Sequence, residues 1–335
     1  MDLQTLWFIL IAVLFLGYFA LEGFDFGVGM LLPFLGRGEA REERARRRDA
    51  AVQSIGPVWD GNEVWLITAG GALFAAFPEW YATMFSGFYL PLLLILLALI
   101  IRGVSLEWRT KVDTPQWRRY SDIGIGIGSW VPAILWGVAF ANLVRGVPVD
   151  AARQIPSGLD GLVQLLNPFG LLGGLAFVGV FALHAATFLG LKTAGPLRAD
   201  AHRIGRLLTA PVILLVGGFA LWLQLSHGRP ETWIAVAVTL ACLLLTVVLL
   251  LRGRDGLAFT ATFVAVLGLG ALIFGAMFPY LMPTTLADGV SLDIWNSSSS
   301  DYTLKIMSWA ALFLVPVVLI AQGWTYWSFR QRIRA

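Results

Sequence analysis

Residues 54–80 read SIGPVWDGNEVWLITAGGALFAAFPEW. The second half of this stretch is apolar enough for a membrane-spanning helix, yet its opening turns carry Asp60, Asn62 and Glu63. An acid placed in hydrocarbon costs about 2.5–3.5 kcal/mol on insertion scales, so it is expected to face a bundle interior or a hydrated path. Asp60 and Glu63 are three residues apart and so share one helical face. The preceding apolar run, ALEGFDFGVG (20–29), repeats that spacing with Glu22 and Asp25. Polar chemistry inside a membrane is therefore the feature around which the chain has to be read.

Composition agrees. Of 335 residues, 58% are hydrophobic and only 13% charged, with a mean hydropathy of +0.75. These values exclude an ordinary soluble domain and indicate an all-α polytopic membrane protein forming a single integral domain over 1–335. The basic pI near 9.2 does not point to nucleic acid, because the cations lie in loops on one side, where they set topology. Cys242 is the one cysteine and lies in a Leu/Val run, as a small apolar filler would. The first apolar run lacks a basic leader and is too long for the core of a cleavable signal, so it is expected to remain as a helix.

A spanning helix needs about 20 mainly apolar residues. On that basis nine spans are expected, near 5–34, 53–76, 80–101, 122–144, 164–191, 205–226, 232–251, 257–281 and 303–328. Loops 36–50, 102–120, 192–206 and 252–255, together with the C-terminal tail, hold 20 of the 24 basic residues. The excess of Lys and Arg on the cytoplasmic side then puts the N-terminus outside and the C-terminus in the cytoplasm, which an odd number of spans satisfies.

FLGYFALEGFDF (15–26) lines up with FVGVFALHAATF (177–188), placing His184 and Thr187 opposite Glu22 and Asp25. The pattern suggests two four-helix units, helices 1–4 (about 5–144) and 5–8 (about 164–281), with helix 9 (about 303–328) outside the repeat. Trp80, Trp108, Trp117, Trp130, Trp295, Trp324 and Trp327 fall near span ends and are read as interfacial anchors.

Depth distinguishes the acids. With a rise of about 1.5 Å per residue, Asp25 lies about 14 Å and Asp60 about 10 Å from the cytoplasmic side, so the two are expected to approach each other there. Such a group of carboxyls suits proton uptake or a small-cation site; the bland alternative is interhelical hydrogen bonding, with Asn62 as a partner. Among His184, His202 and His227 no two stand at ligand spacing, and no His/Cys cluster is present. No metal site is expected in this chain. His184 alone is better read as a helix–helix hydrogen bond than as an axial ligand.

EGFDFGVGML (22–31), SIGPVWDGNEVWLITAGGALFAAFP (54–78) and SGFYLPLLLILLALIIRGVSLEWR (86–109) strongly resemble subunit II of cytochrome bd-type quinol oxidases. GSWVPAILWGVAFANLVRGVP (128–148), LLNPFGLLGGLAFVG (165–179), FGAMFPYLMP (274–283) and SSSDYTLKIMSWAALFLVPVVL (298–319) extend the likeness over nearly the whole chain. The cyanide-insensitive oxidases are similar in these segments.

The resemblance implies a heterodimer in the bacterial cytoplasmic membrane. Its subunit I carries haem b and haem d, oxidises quinol and reduces O2 to water. Subunit II would hold no haem ligand, scaffold subunit I and contribute a cytoplasmic proton pathway, with small accessory subunits as further partners. The proton-handling role falls on Asp60 of WDGN and on Glu22 and Asp25 of EGFD, with Glu63 on the same helical face as Asp60. Trp59 matches a residue near a structural quinone in some members, so a structural quinone or lipid is implied there. From the residues alone, two rivals stand: a secondary cation/proton transporter and a purely structural subunit.

Overall fold

A computed structural model describes residues 2–334. The described residues form twelve α-helices: α1 Leu3–Leu31, α2 Arg41–Ile55, α3 Trp59–Ala76, α4 Pro78–Gly87, α5 Tyr89–Trp108, α6 Pro115–Arg145, α7 Gly158–Leu165, α8 Pro168–Lys192, α9 Gly195–His227, α10 Trp233–Leu251, α11 Asp255–Met277 and α12 Asp301–Ser328. Two short pairings tie the ends of the bundle. β1 (Thr193–Ala194) lies parallel to β4 (Ile333–Arg334), and β2 (Tyr280–Met282) lies antiparallel to β3 (Leu292–Asp293).

Among the described residues, eight helices are long and apolar enough to cross a membrane: α1, α5, α6 and α8–α12. The protein is thus a multi-pass membrane protein. The remaining span expected from sequence, 53–76, is the 18-residue α3, whose polar opening turn sets it apart from the others. Helix 53–76 starts later than expected because Gly56 and Pro57 interrupt it, Pro having no N–H to continue a helix. Span 80–101 divides at Phe88 into α4 and α5. Its second part runs on to Trp108, because Gly103, Val104 and Leu106 continue the apolar face without a breaker.

Loop 36–50 is also corrected from residue 41 onward, because α2 begins at Arg41. Its charges disguised it as a loop, but they pair along the helix: Glu43 meets Arg46 at 2.7 Å and Arg47 at 2.8 Å. The Arg46 and Arg47 guanidinium groups hold the Glu43 carboxyl below its usual range. Ala50, Ala51, Val52 and Ile55 supply the buried face. Arg47 anchors the helix to the bundle through Asp200 at 2.8 Å, and Asp200 and Glu43 together raise the Arg47 pKa further. Asp200 also accepts from the Gly36 amide at 2.8 Å. Removing one partner of a buried pair costs about 3–5 kcal/mol. Arg47→Ala is therefore expected to undock α2, which limited trypsin digestion reads as faster cleavage within 41–48 at unchanged cleavage elsewhere.

The core is aromatic. Phe15, Phe19, Phe140 and Phe177 meet edge to face with centroids 5.0 Å apart, the geometry favoured by ring quadrupoles. The segments 15–26 and 177–188 pack directly against each other here: Phe19 of α1 on Phe177 of α8, and Phe24 stacked on Phe188 at 4.2 Å. Trp80, read as an interfacial anchor, is instead buried in the core, whereas Trp108, Trp130, Trp295, Trp324 and Trp327 are exposed. The two ends of the chain lie at different ends of the bundle. Trp295 donates to Asp2 at 3.1 Å, while the tail pairs with the α8–α9 junction.

Candidate functional site

Glu22 and Asp25, one turn apart on α1, are both fully buried. α3 supplies Asn62 and Glu63, α5 supplies Arg102, and α12 supplies Gln322 and Tyr326. Arg102 is the centre: 1% of its side chain is exposed, and its Nη1 donates to Glu22 Oε1 and, at 3.1 Å, to Glu63 Oε1. The guanidinium lies over the Phe26 ring, 4.8 Å from the centroid, where the negative ring face supports the cation. Gly128 on α6 makes the space for this residue, since a Cβ there would stand 2.3 Å from Arg102 Cβ.

Asn62 joins the second half of the cluster. Its Nδ2 donates to Asp25 Oδ2 at 2.6 Å, and its Oδ1 accepts from Tyr326 Oη at 2.8 Å and from Gln322 Nε2 at 3.3 Å. Trp65 Nε1 donates to Gln322 Oε1 at 2.8 Å. Four helices are thereby linked by two adjacent polar groups, one around Arg102 and one around Asn62. Glu22 Oε2, Asp25 Oδ1, and Arg102 Nε and Nη2 are buried without a protein partner. A buried charge is tolerated only when paired or hydrogen-bonded, so these atoms mark the network as incompletely neutralised by protein alone.

Asp60 is placed differently from expectation. Its side chain is on the exposed side of α3, and the acid that meets Glu22 through a shared cation is Glu63, while Asp25 pairs with Asn62. The buried face of α3 is Asn62, Ala69, Leu73 and Ala76; two residues along a helix is a rotation of about 200°, which turns Asp60 away from α1. Trp59 is half-buried beside α5, its ring tip 3.5 Å from where a Gly103 Cβ would stand.

Arg102 was assigned by sequence to a cytoplasmic loop, and this is corrected: it is interior to α5 and internal to the site. The signal was present in LALIIRGVSL (97–106), an arginine with apolar residues on both sides. Gln322 and Tyr326, four residues apart just beyond the apolar run 310–321, carried a similar signal.

The three histidines lie in separate hydrogen-bonded settings. His184 has both ring nitrogens engaged, with Thr262 Oγ1 at 2.7 Å and Ala20 O at 3.0 Å. His202 Nε2 contacts Asp255 at 2.7 Å. His227 has Nδ1 on Ser226 at 2.7 Å. Among the described residues no group of three His, Cys, Asp or Glu side chains is arranged to hold a metal ion.

The family model described as cytochrome bd terminal oxidase subunit II matches residues 3–329. The chain belongs to that family. Within it, cytochrome bd ubiquinol oxidase subunit 2 of Bacillus subtilis is 40% identical over 337 residues, covering 99% of this chain and 97% of the relative. Cytochrome bd-I ubiquinol oxidase subunit 2 of Escherichia coli K12 is 38% identical over 370 residues, covering 99% and 95%. A chain of the bd oxidase from Geobacillus thermodenitrificans superposes with a TM-score of 0.72 at 19% identity, over 96% of this chain and 98% of that one, a likeness of fold. As a cytochrome bd oxidase subunit II, this chain is part of a quinol oxidase complex in a bacterial membrane, and the transporter alternative is not favoured.

Proposed function

We propose that this subunit II conducts protons from the cytoplasm toward a haem-bearing subunit I and braces that partner. Haem b and haem d, held by the partner, would supply electron transfer and oxygen reduction; this chain's acids would deliver protons. The observation that carries the reading is a graded series of carboxyls around one guanidinium: Asp60 exposed, Glu63 with 17% of its side chain exposed, and Glu22 and Asp25 fully buried. A relay needs groups whose protonated and ionised forms are both accessible. Glu22 Oε2 and Asp25 Oδ1, which meet no protein donor, are the oxygens that would take a proton. Arg102 holds the negative charge when they release it.

Nine spans, with the N-terminus outside and the C-terminus in the cytoplasm, fit this role. The 18 residues of α3 extend about 27 Å, close to the roughly 30 Å of hydrocarbon, and its polar turn then lies at the cytoplasmic end. The partner is assigned to the side formed by α3 and α12, because α12 buries only Leu304 within this chain. Half-buried Trp59 lies at the edge of that side, where a structural quinone or lipid would pack against its ring.

The test uses the native complex with its haem spectrum as the measure of assembly. Glu22→Gln and Asp25→Asn are expected to lower quinol-driven oxygen consumption by about 100-fold, the scale of a lost proton-transfer group, with haem content unchanged. Asp60→Asn should slow turnover less, since water reaches its neighbour Glu63. Unchanged turnover in the assembled variants would reduce the cluster to a structural role.

A further inference from the structure

The end of the bundle that carries α2 has a second charged feature, which the proton reading does not use. A pocket of about 470 Å³ opens beside the first turns of α9, lined by Arg198, His202, Arg203, Arg206 and Leu207. The carboxylates nearby are already committed. Asp255 contacts Arg198 at 2.9 Å, His202 at 2.7 Å and Arg332 at 2.9 Å. Asp200 is held by Arg47 and the Gly36 amide, each at 2.8 Å. Arg203 is left with a 3.4 Å contact to Asp200 and Arg206 with a 3.4 Å contact to the Leu250 carbonyl, both longer than a charged hydrogen bond ought to be.

The position of these two cations names their partner. Arg203 lies one turn before Leu207, and Leu207, Leu214, Leu221 and Leu225 form an exposed apolar face running away along α9. That face is lipid-facing in a helix apolar enough to span, so Arg203 and Arg206 stand where its hydrocarbon contact ends and the headgroup layer begins. A guanidinium recognises phosphate oxygens in a fork geometry, and basic pockets between spanning helices are suited to anionic headgroups. We propose that this pocket binds the phosphate of an anionic phospholipid through Arg203 and Arg206, with the acyl chains laid along the Leu207–Leu214 face. The proposal is independent of the proton relay.

The experiment compares the intact complex with its Arg203→Gln/Arg206→Gln double variant, reconstituted with phosphatidylglycerol or phosphatidylethanolamine and read by native mass spectrometry of retained lipid. Each cation near a headgroup is worth about one factor of five in affinity, so phosphatidylglycerol is expected to be retained about 25-fold less by the double variant. Phosphatidylethanolamine, whose ammonium offsets its phosphate, should be retained less by the wild type and lose only a small part of that in the variant. Arg203→Lys/Arg206→Lys, which keeps the charge, should keep most of the phosphatidylglycerol. Equal retention of phosphatidylglycerol by wild type and the glutamine variant would overturn the site. So would displacement of the lipid by millimolar inorganic phosphate, which would make the pocket a site for free anions. Both arginines are exposed and outside the buried network, and an unchanged haem spectrum confirms that a loss of lipid is not a loss of fold.

Discussion

Arg102→Met is expected to abolish recovery of a stable complex. The substitution keeps much of the side-chain volume but removes the cation that neutralises Glu22 and Glu63. Glu22 is fully buried and has no other donor, so its charge would be left unpaired in low dielectric. Breaking a buried pair in this way costs about 3–5 kcal/mol, a large part of the roughly 5–15 kcal/mol that holds a typical protein folded. The complementary expectation separates charge from packing. Adding Glu22→Gln and Glu63→Gln to Arg102→Met removes the stranded charges, and it should restore most of the thermal midpoint, since replacing a whole buried ion cluster with neutral groups is often harmless. A double-mutant cycle in detergent, followed by the unfolding midpoint and haem content, measures the coupling. If Arg102→Met alone melts within a degree of wild type, the guanidinium does not balance the acids.

Gly27→Val is the second substitution with a large expected effect, and its origin is steric. A Cβ at Gly27 would stand 2.1 Å from the Phe181 carbonyl oxygen and 2.4 Å from Ala185 Cβ. The carbonyl belongs to the α8 backbone and cannot swing aside, so α1 and α8 would have to separate. Overpacking a filled core costs about 1–3 kcal/mol and occasionally more, and close approach over small residues is a main source of cohesion between helices in lipid. The displaced helix is also the one that carries Glu22 and Asp25, so turnover should fall along with stability. Ala185→Gly added to Gly27→Val should recover only part of the loss, because the carbonyl remains. Gly218→Ala and Gly126→Ala are the controls: nothing lies within 4 Å of either Cβ position, so their midpoints should hold or rise slightly with the better helix former. A Gly27→Val protein as stable as these controls would mean that the α1–α8 crossing is not a tight one.

Much of this architecture is legible in residue order because lipid imposes simple demands. Runs such as YLPLLLILLALII (89–101) must be helical and must span, and the basic segment 192–206 announces itself by its arginines, although from Gly195 onward it is the first turns of α9 and not the loop expected. The acids of EGFD and WDGN were found for the same reason, since their cost in hydrocarbon makes them conspicuous. What escaped was relative rotation. Hydropathy fixes where a helix lies along the membrane normal but not which way each side chain points. Asp60 and Asn62 are therefore equivalent in sequence and opposite in the fold. Arg102 escaped by a related ambiguity: a cation at the end of an apolar run is normally a boundary marker, and only the continuation of α5 to Trp108 makes it internal. The charged α2 escaped because periodic apolar spacing is weak in REERARRRDAAVQSI (41–55), where the helix is supported by one i,i+3 and one i,i+4 pair on Glu43 and by one anchoring arginine.

The amide of Asn62 has a consequence for how the two sides of α3 communicate. Its nitrogen gives a hydrogen to Asp25, while its oxygen receives hydrogens from Tyr326 and Gln322 of α12. A proton taken up at Asp25 Oδ1, the oxygen that meets no protein donor, leaves this amide as it is, because the amide donates to Oδ2. A proton on Oδ2 would require the amide to turn over: the nitrogen would then face α12, Tyr326 would have to reverse its hydroxyl, and Gln322 would confront a donor with its own donor. The seating of the outermost helix thus selects which of the two carboxyl oxygens can be loaded.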